Sequence, residues 1–106
     1  MNVEFEKEYL RELYETGKTT DKKYRFQPQM VNGYLKCIKA LDDAMNIEEL
    51  LRFKSLCYEK LRGNKSGLSS LRINDKYRLE FRELFSIDNI LQVEICSIVD
   101  ITNHYK

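Results

Sequence analysis

Little in this chain ligates metal or cross-links the fold. There is one histidine in 106 residues, and the three cysteines show no CxxC spacing. The single histidine lies near the C-terminus and the cysteines are scattered along the chain, so no zinc site is expected. The cysteines, Cys37, Cys57 and Cys96, are odd in number, which reads as reduced thiols. Only one proline is present, and there are no repeats or low-complexity tracts. Apolar runs extend a few residues, far short of the roughly 20 that a membrane span requires. The opening MNVEFEKEYLRELYE carries acids where a signal peptide needs a basic region followed by a long apolar one. A charged fraction of 33% against a hydrophobic fraction of 42% fits a soluble globular chain. The expectation is therefore one domain over residues 1–106, cytoplasmic, with no membrane partner.

Hydrophobic spacing outlines the elements. Asn2 to Phe5 reads as a short strand, and Glu6 to Glu15 as a helix with Tyr9, Leu10, Leu13 and Tyr14 on its apolar stripe. Gly17 stops that helix, and a polar loop runs from Thr16 to Lys23. Pro28 opens the clearest helix, whose stripe is Val31, Tyr34, Leu35, Ile38 and Leu41, extended by Met45. Gly33 weakens it slightly. Asn46 caps a short helix over Ile47 to Phe53, with Glu48 and Glu49 in its first turn. Three strands follow: Leu68–Asn74, Tyr77–Phe85 and Ile90–Ile101, with a turn at residues 86–89. The last strand carries apolar residues on both parities near its end, which suggests burial on both faces. Helices first and a meander last imply an α+β fold with helices on one sheet face.

The net charge of +1 conceals a strong asymmetry. From Arg52 to Arg82 nine Lys/Arg face three acids, a net of +6, which leaves −5 for the remainder. Such a stripe is the footprint of a nucleic-acid site, or else a solvated face. Within it, parity fixes a hairpin register. A three-residue loop, Asn74-Asp75-Lys76, pairs Ile73 with Tyr77 and Leu71 with Leu79, which keeps apolar residues together. Arg72 then lies across from Arg78, and like charges so placed repel. Two readings remain open: Glu80 neutralises the pair diagonally, or the pair forms a phosphate clamp awaiting an anion. The loop Arg62-Gly63-Asn64-Lys65-Ser66-Gly67 lacks P-loop spacing, so nucleoside triphosphate binding is unsupported; its basic residues suit backbone phosphates.

The run LRGNKSGLSSLRINDKYRLEF and the ending VDITNHYK resemble the HigB-type branch of the RelE/ParE toxin superfamily, toxins of bacterial type II toxin–antitoxin pairs. The likeness is strongest over Leu56 to Lys106 and extends through YETGKTTDKKYRFQP. It implies a RelE-like small domain with N-terminal helices packed on an antiparallel sheet. It implies metal-independent cleavage of mRNA on the ribosome, with the 2′-hydroxyl attacking the adjacent phosphate. Such chemistry needs a base, positive charge for the phosphorane, and an acid for the leaving oxygen.

By the same resemblance, Arg78 faces the scissile phosphate and Arg72 supports it. His104 is the general acid and Tyr105 stacks on a base. Glu59 corresponds to a glutamate used as general base in one branch. Lys65, Arg62, Lys76 and Arg82 supply phosphate contacts. The implied partners are the ribosome, mRNA and a helix-turn-helix HigA-like antitoxin, with operator DNA reached only through the antitoxin complex. Many such toxins are more basic than +1, so here attraction to RNA rests on the local stripe. Two alternatives stand beside this reading: a ParE-like inhibitor of DNA gyrase, and a non-catalytic RNA-binding relative.

Overall fold

The computed structural model describes residues 1–21, 26–89 and 92–103. The elements run β1 (Asn2–Phe5), α1 (Glu8–Thr16), α2 (Pro28–Asp43), α3 (Ile47–Leu51), β2 (Glu59–Lys60), β3 (Ser69–Arg72), β4 (Tyr77–Phe85) and β5 (Val93–Asn103). Single 3₁₀ turns lie at Lys54–Leu56 and Gly63–Lys65. The strands form one sheet in the order β1-β5-β4-β3-β2. All neighbours are antiparallel except β1 and β5, so the expected antiparallel sheet carries one parallel edge. Both edges are short strands, which limits unpaired backbone. The expected three-strand meander is the centre of this sheet. The segment from Lys22 to Arg25, and Ile90 and Leu91 at the start of the expected third strand, lie outside the described residues.

Local signals act as read. Gly17 takes a left-handed φ of 76° and its N–H donates to the Leu13 carbonyl at 2.9 Å, closing α1. Pro28 stands at the first turn of α2. The Asn46 side chain accepts from the Glu49 N–H at 3.1 Å and caps α3. Two stripe assignments change. Met45 lies beyond α2 and is 76% exposed, because Ala44 already leaves helical geometry. Tyr14 is exposed and rests its ring on Phe5, with centroids 5.5 Å apart.

The core is Leu10, Leu13, Tyr34, Ile38 and Leu41 from the helices against Leu71, Leu79, Phe81, Cys96 and Ile98 from the sheet. The mixed parity of β5 has two causes: Cys96, Ser97 and Ile98 are buried in succession, so both faces are covered there, and the strand is bulged. Register shifts between Glu80 and Phe81, and between Leu84 and Phe85, each give β5 an extra residue. They return Val93, Cys96, Ile98 and Ile101 to the helix-covered face. The other face is left for Ser70, Arg72, Arg78, Glu80, Arg82, Ser97 and Thr102, each set by its ladder partner.

Cys37 and Cys96 are buried, and that burial pushes both thiols up to about 12; Cys57 is exposed. A raised thiol pKa stabilises the fold fully below the ordinary range near 9, and the contribution is lost as pH climbs toward 12. Native protein at neutral pH should therefore give one fast thiol per chain with an aromatic disulfide reagent, lost in Cys57→Ser. Three fast thiols would contradict this burial.

Candidate nucleic-acid interface

The hairpin register is the one parity requires. Leu71 pairs with Leu79, Arg72 faces Arg78, and the Ile73 N–H donates to the Tyr77 carbonyl at 3.0 Å. Asn74 shapes the turn by accepting from the N–H groups of Lys76 and Tyr77 at 2.9 and 2.8 Å. The two arginines avoid repulsion in different ways, neither through Glu80. Arg72 pairs with Asp75 in the turn. Arg78 is drawn inward and its side chain is only 12% exposed. Its Nε donates to Ser70 Oγ at 3.0 Å, and Nη2 donates to the Cys57 carbonyl at 2.7 Å and lies 3.3 Å from Glu59 Oε1. Both N–H groups of Nη1 are left without a partner among the described residues. The guanidinium is thus held on two sides while one edge stays available.

Glu59 meets Arg78, rather than Arg62 or Lys65, because of the chain just before it. Cys57 takes a left-handed φ of 48° after the Lys54–Leu56 turn, and its Sγ donates to the Lys54 carbonyl at 3.4 Å. That conformation costs a non-glycine residue about 1–2 kcal/mol, and it aims the Cys57 carbonyl at Arg78. Strand β2 then pairs Glu59 with Ser70. Between them, Tyr58 projects to the opposite face. Its hydroxyl donates to Glu83, its ring lies 6.4 Å from Phe81, and burial followed by that hydrogen bond raises its pKa. Tyr58 therefore pins the segment whose flanking residues hold Arg78. Tyr58→Phe should cost about 1 kcal/mol of stability, the worth of one hydrogen bond, read as a fall in melting temperature. An unchanged melting temperature would deny Tyr58 its anchoring part.

Lys65 Nζ pairs with Glu80 at 2.6 Å, and the Thr102 hydroxyl donates to the same carboxylate at 3.3 Å. Arg82 turns away to Glu6 at 3.1 Å, and Ser97 donates to that glutamate at 2.8 Å. Arg62 and Lys76 are exposed on the loop and the turn, with no ion pair among the described residues. The face thus gathers Arg78, Glu59, Arg72 and Lys65, with Arg62, Lys76 and Arg82 at its margins. His104 and Tyr105 follow β5 and lie outside the described residues. Sequence reasoning missed Ser70, Thr102 and the Cys57 carbonyl. The parity that faced Arg72 and Arg78 outward also faced Ser70 outward, so that one was within reach.

A fixed guanidinium edge beside a carboxylate, with further cations around it, can bind a phosphate and take a proton from a neighbouring hydroxyl. Comparisons with known proteins place the chain in a family. The family described as the RelE-like toxin of type II toxin–antitoxin system HigB matches residues 3–95. Toxin HigB-1 of Vibrio cholerae serotype O1 is 32% identical over 83 residues, 77% of this chain and 83% of that protein. Among solved structures, the YoeB–YefM complex from Staphylococcus aureus is 23% identical with a TM-score of 0.56, covering 99% of this chain and 98% of that one. The YoeB/ParE toxin from Agrobacterium tumefaciens is 21% identical with a TM-score of 0.54, covering 99% and 100%. These two likenesses establish a shared fold. With the family match over residues 3–95, the chain belongs to the HigB-like family of RelE-like toxins of type II toxin–antitoxin systems.

Proposed function

We propose that this toxin is a ribosome-dependent, metal-independent mRNA endoribonuclease. The observation that carries the reading is the held guanidinium of Arg78, with Glu59 3.3 Å from it and one edge unpartnered. The phosphate of the scissile bond binds that edge. Glu59 takes the proton of the 2′-hydroxyl, whose oxygen attacks phosphorus. Negative charge growing on the phosphorane meets Arg78, with Arg72 behind it. His104 protonates the departing 5′-oxygen, leaving a 2′,3′-cyclic phosphate and a 5′-hydroxyl, and Tyr105 stacks on a neighbouring base. Lys65, Arg62, Lys76 and Arg82 hold flanking phosphates. Because Glu59 is 54% exposed, an incoming backbone reaches it without unfolding the site.

The setting is the cytoplasm. A helix-turn-helix HigA-like antitoxin neutralises the toxin, and operator DNA is reached only through that complex. Inducing the toxin in bacteria and mapping new mRNA 5′ ends tests the reading. In-frame cuts within translated regions are expected. Gyrase-linked DNA breaks with intact mRNA would replace this function with a ParE-like one, and salt-sensitive RNA binding without cuts would leave a non-catalytic binder.

A further inference from the structure

We propose that Glu80 is a positioning residue that presents Lys65 to the RNA backbone, an inference that rests on the ribonuclease reading above. Among the described residues Glu80 is the one buried charged side chain, 6% exposed, on the sheet face opposite the core. A buried carboxylate is costly unless it is paired and hydrogen-bonded. The neighbouring cations of its own face do not serve it. Arg78 is committed to Ser70, Cys57 and Glu59, and Arg82 to Glu6. Across the ladder stands Asp100, which binds Lys7 at 2.9 Å and Tyr9. Among the described residues Glu80 therefore has a single cation, Lys65, and the Thr102 hydroxyl holds the carboxylate from β5.

Lys65 arrives from a loop between two glycines with positive φ, Gly63 at 66° and Gly67 at 94°, and its side chain is half exposed. A lysine in such a loop has many orientations, and the buried carboxylate selects one. The ammonium keeps two N–H groups for a phosphate oxygen after serving Glu80. The arrangement also joins the basic loop to β5 two residues before His104, so one carboxylate sets the spacing between Lys65 and the strand leading to the acid.

Simple electrostatics and positioning predict opposite signs. Removing a carboxylate from an RNA-binding face relieves repulsion and should help, whereas losing the group that orders Lys65 should hurt. The test is a double-mutant cycle on mRNA-programmed ribosomes, reading kcat/KM for wild type, Glu80→Gln, Lys65→Ala and the double variant, with melting temperatures alongside. Each single change is expected to lower kcat/KM about tenfold, and the double no more than either alone, the signature of two residues acting as a unit. An unchanged or faster Glu80→Gln, or a double loss near the product of the singles, about 100-fold, overturns the proposal. Should Glu80→Gln fail to fold, Thr102→Val with Lys65→Ala supplies the same cycle with a smaller first step. Wild-type toxin that leaves mRNA uncut would overturn the ribonuclease reading and this inference with it. A cleaving wild type with independent residues would overturn this inference alone.

Discussion

Arg78→Ala is expected to lower the rate of mRNA cleavage about 10²–10³-fold, the usual cost of removing one preorganised transition-state donor, and to relieve growth arrest. The size follows from how the side chain is held. Ser70 and the Cys57 carbonyl fix the guanidinium before substrate arrives, so little reorganisation is left for the reaction. Lysine cannot replace it: one ammonium cannot meet Ser70, Cys57 and a phosphate edge together. Arg78→Lys should recover only a small part of the rate. Stability should change less, by about 1–2 kcal/mol, since Glu59 is solvated once its partner is gone. A folded Arg78→Ala toxin that still arrests growth fully would remove Arg78 from the chemistry.

Gly33→Val should be the most damaging change to the fold outside the large core side chains. A Cβ at Gly33 would stand 2.7 Å from the Ile73 carbonyl oxygen and 3.0 Å from its Cγ2. One turn along α2, Cys37 Sγ donates to the Arg72 carbonyl at 3.4 Å. Helix α2 therefore lies directly on the end of β3, where the arginine hairpin begins. Overpacking of this kind costs about 2–3 kcal/mol, which for a chain of this size lowers the melting temperature by roughly 10 °C. Because the displaced backbone carries Arg72 and leads to Arg78, cleavage should fall along with stability. A variant that melts like wild type would show that α2 can slide without cost.

Gly33 also marks where the sequence was legible and where it was not. Its spacing within α2 reads as a mild helix defect, whereas its use is a backbone contact with a residue 40 positions away, which no local pattern reveals. The signals that worked were local: Gly17, Pro28, Asn46, and the parity that set Leu71 against Leu79 and Arg72 against Arg78. The strands β3 and β4 are near in sequence, so their register follows from two short patterns and one turn. Strand β1 pairs with the far end of the chain, and its parallel edge is invisible to that logic. The bulges of β5 left a trace as mixed parity, which the burial of both faces at Cys96, Ser97 and Ile98 concealed. At the site, the cations were legible and their partners were not. Asp75, Glu59 and Glu80 each sit near several cations, and the choice depends on the left-handed turn at Cys57 and the placement of the Lys65 loop.

The most direct test of the account is cleavage by purified toxin on ribosomes programmed with a defined mRNA. A matched message would carry a 2′-deoxy nucleotide at the cleaved position. The account predicts rapid cutting of the all-ribose message with a 2′,3′-cyclic phosphate end, no cutting at the deoxy position, and a loss of 10²–10³-fold with Arg78→Ala. Equal cutting of the deoxy message, or cleavage that persists undiminished without Arg78, would contradict it.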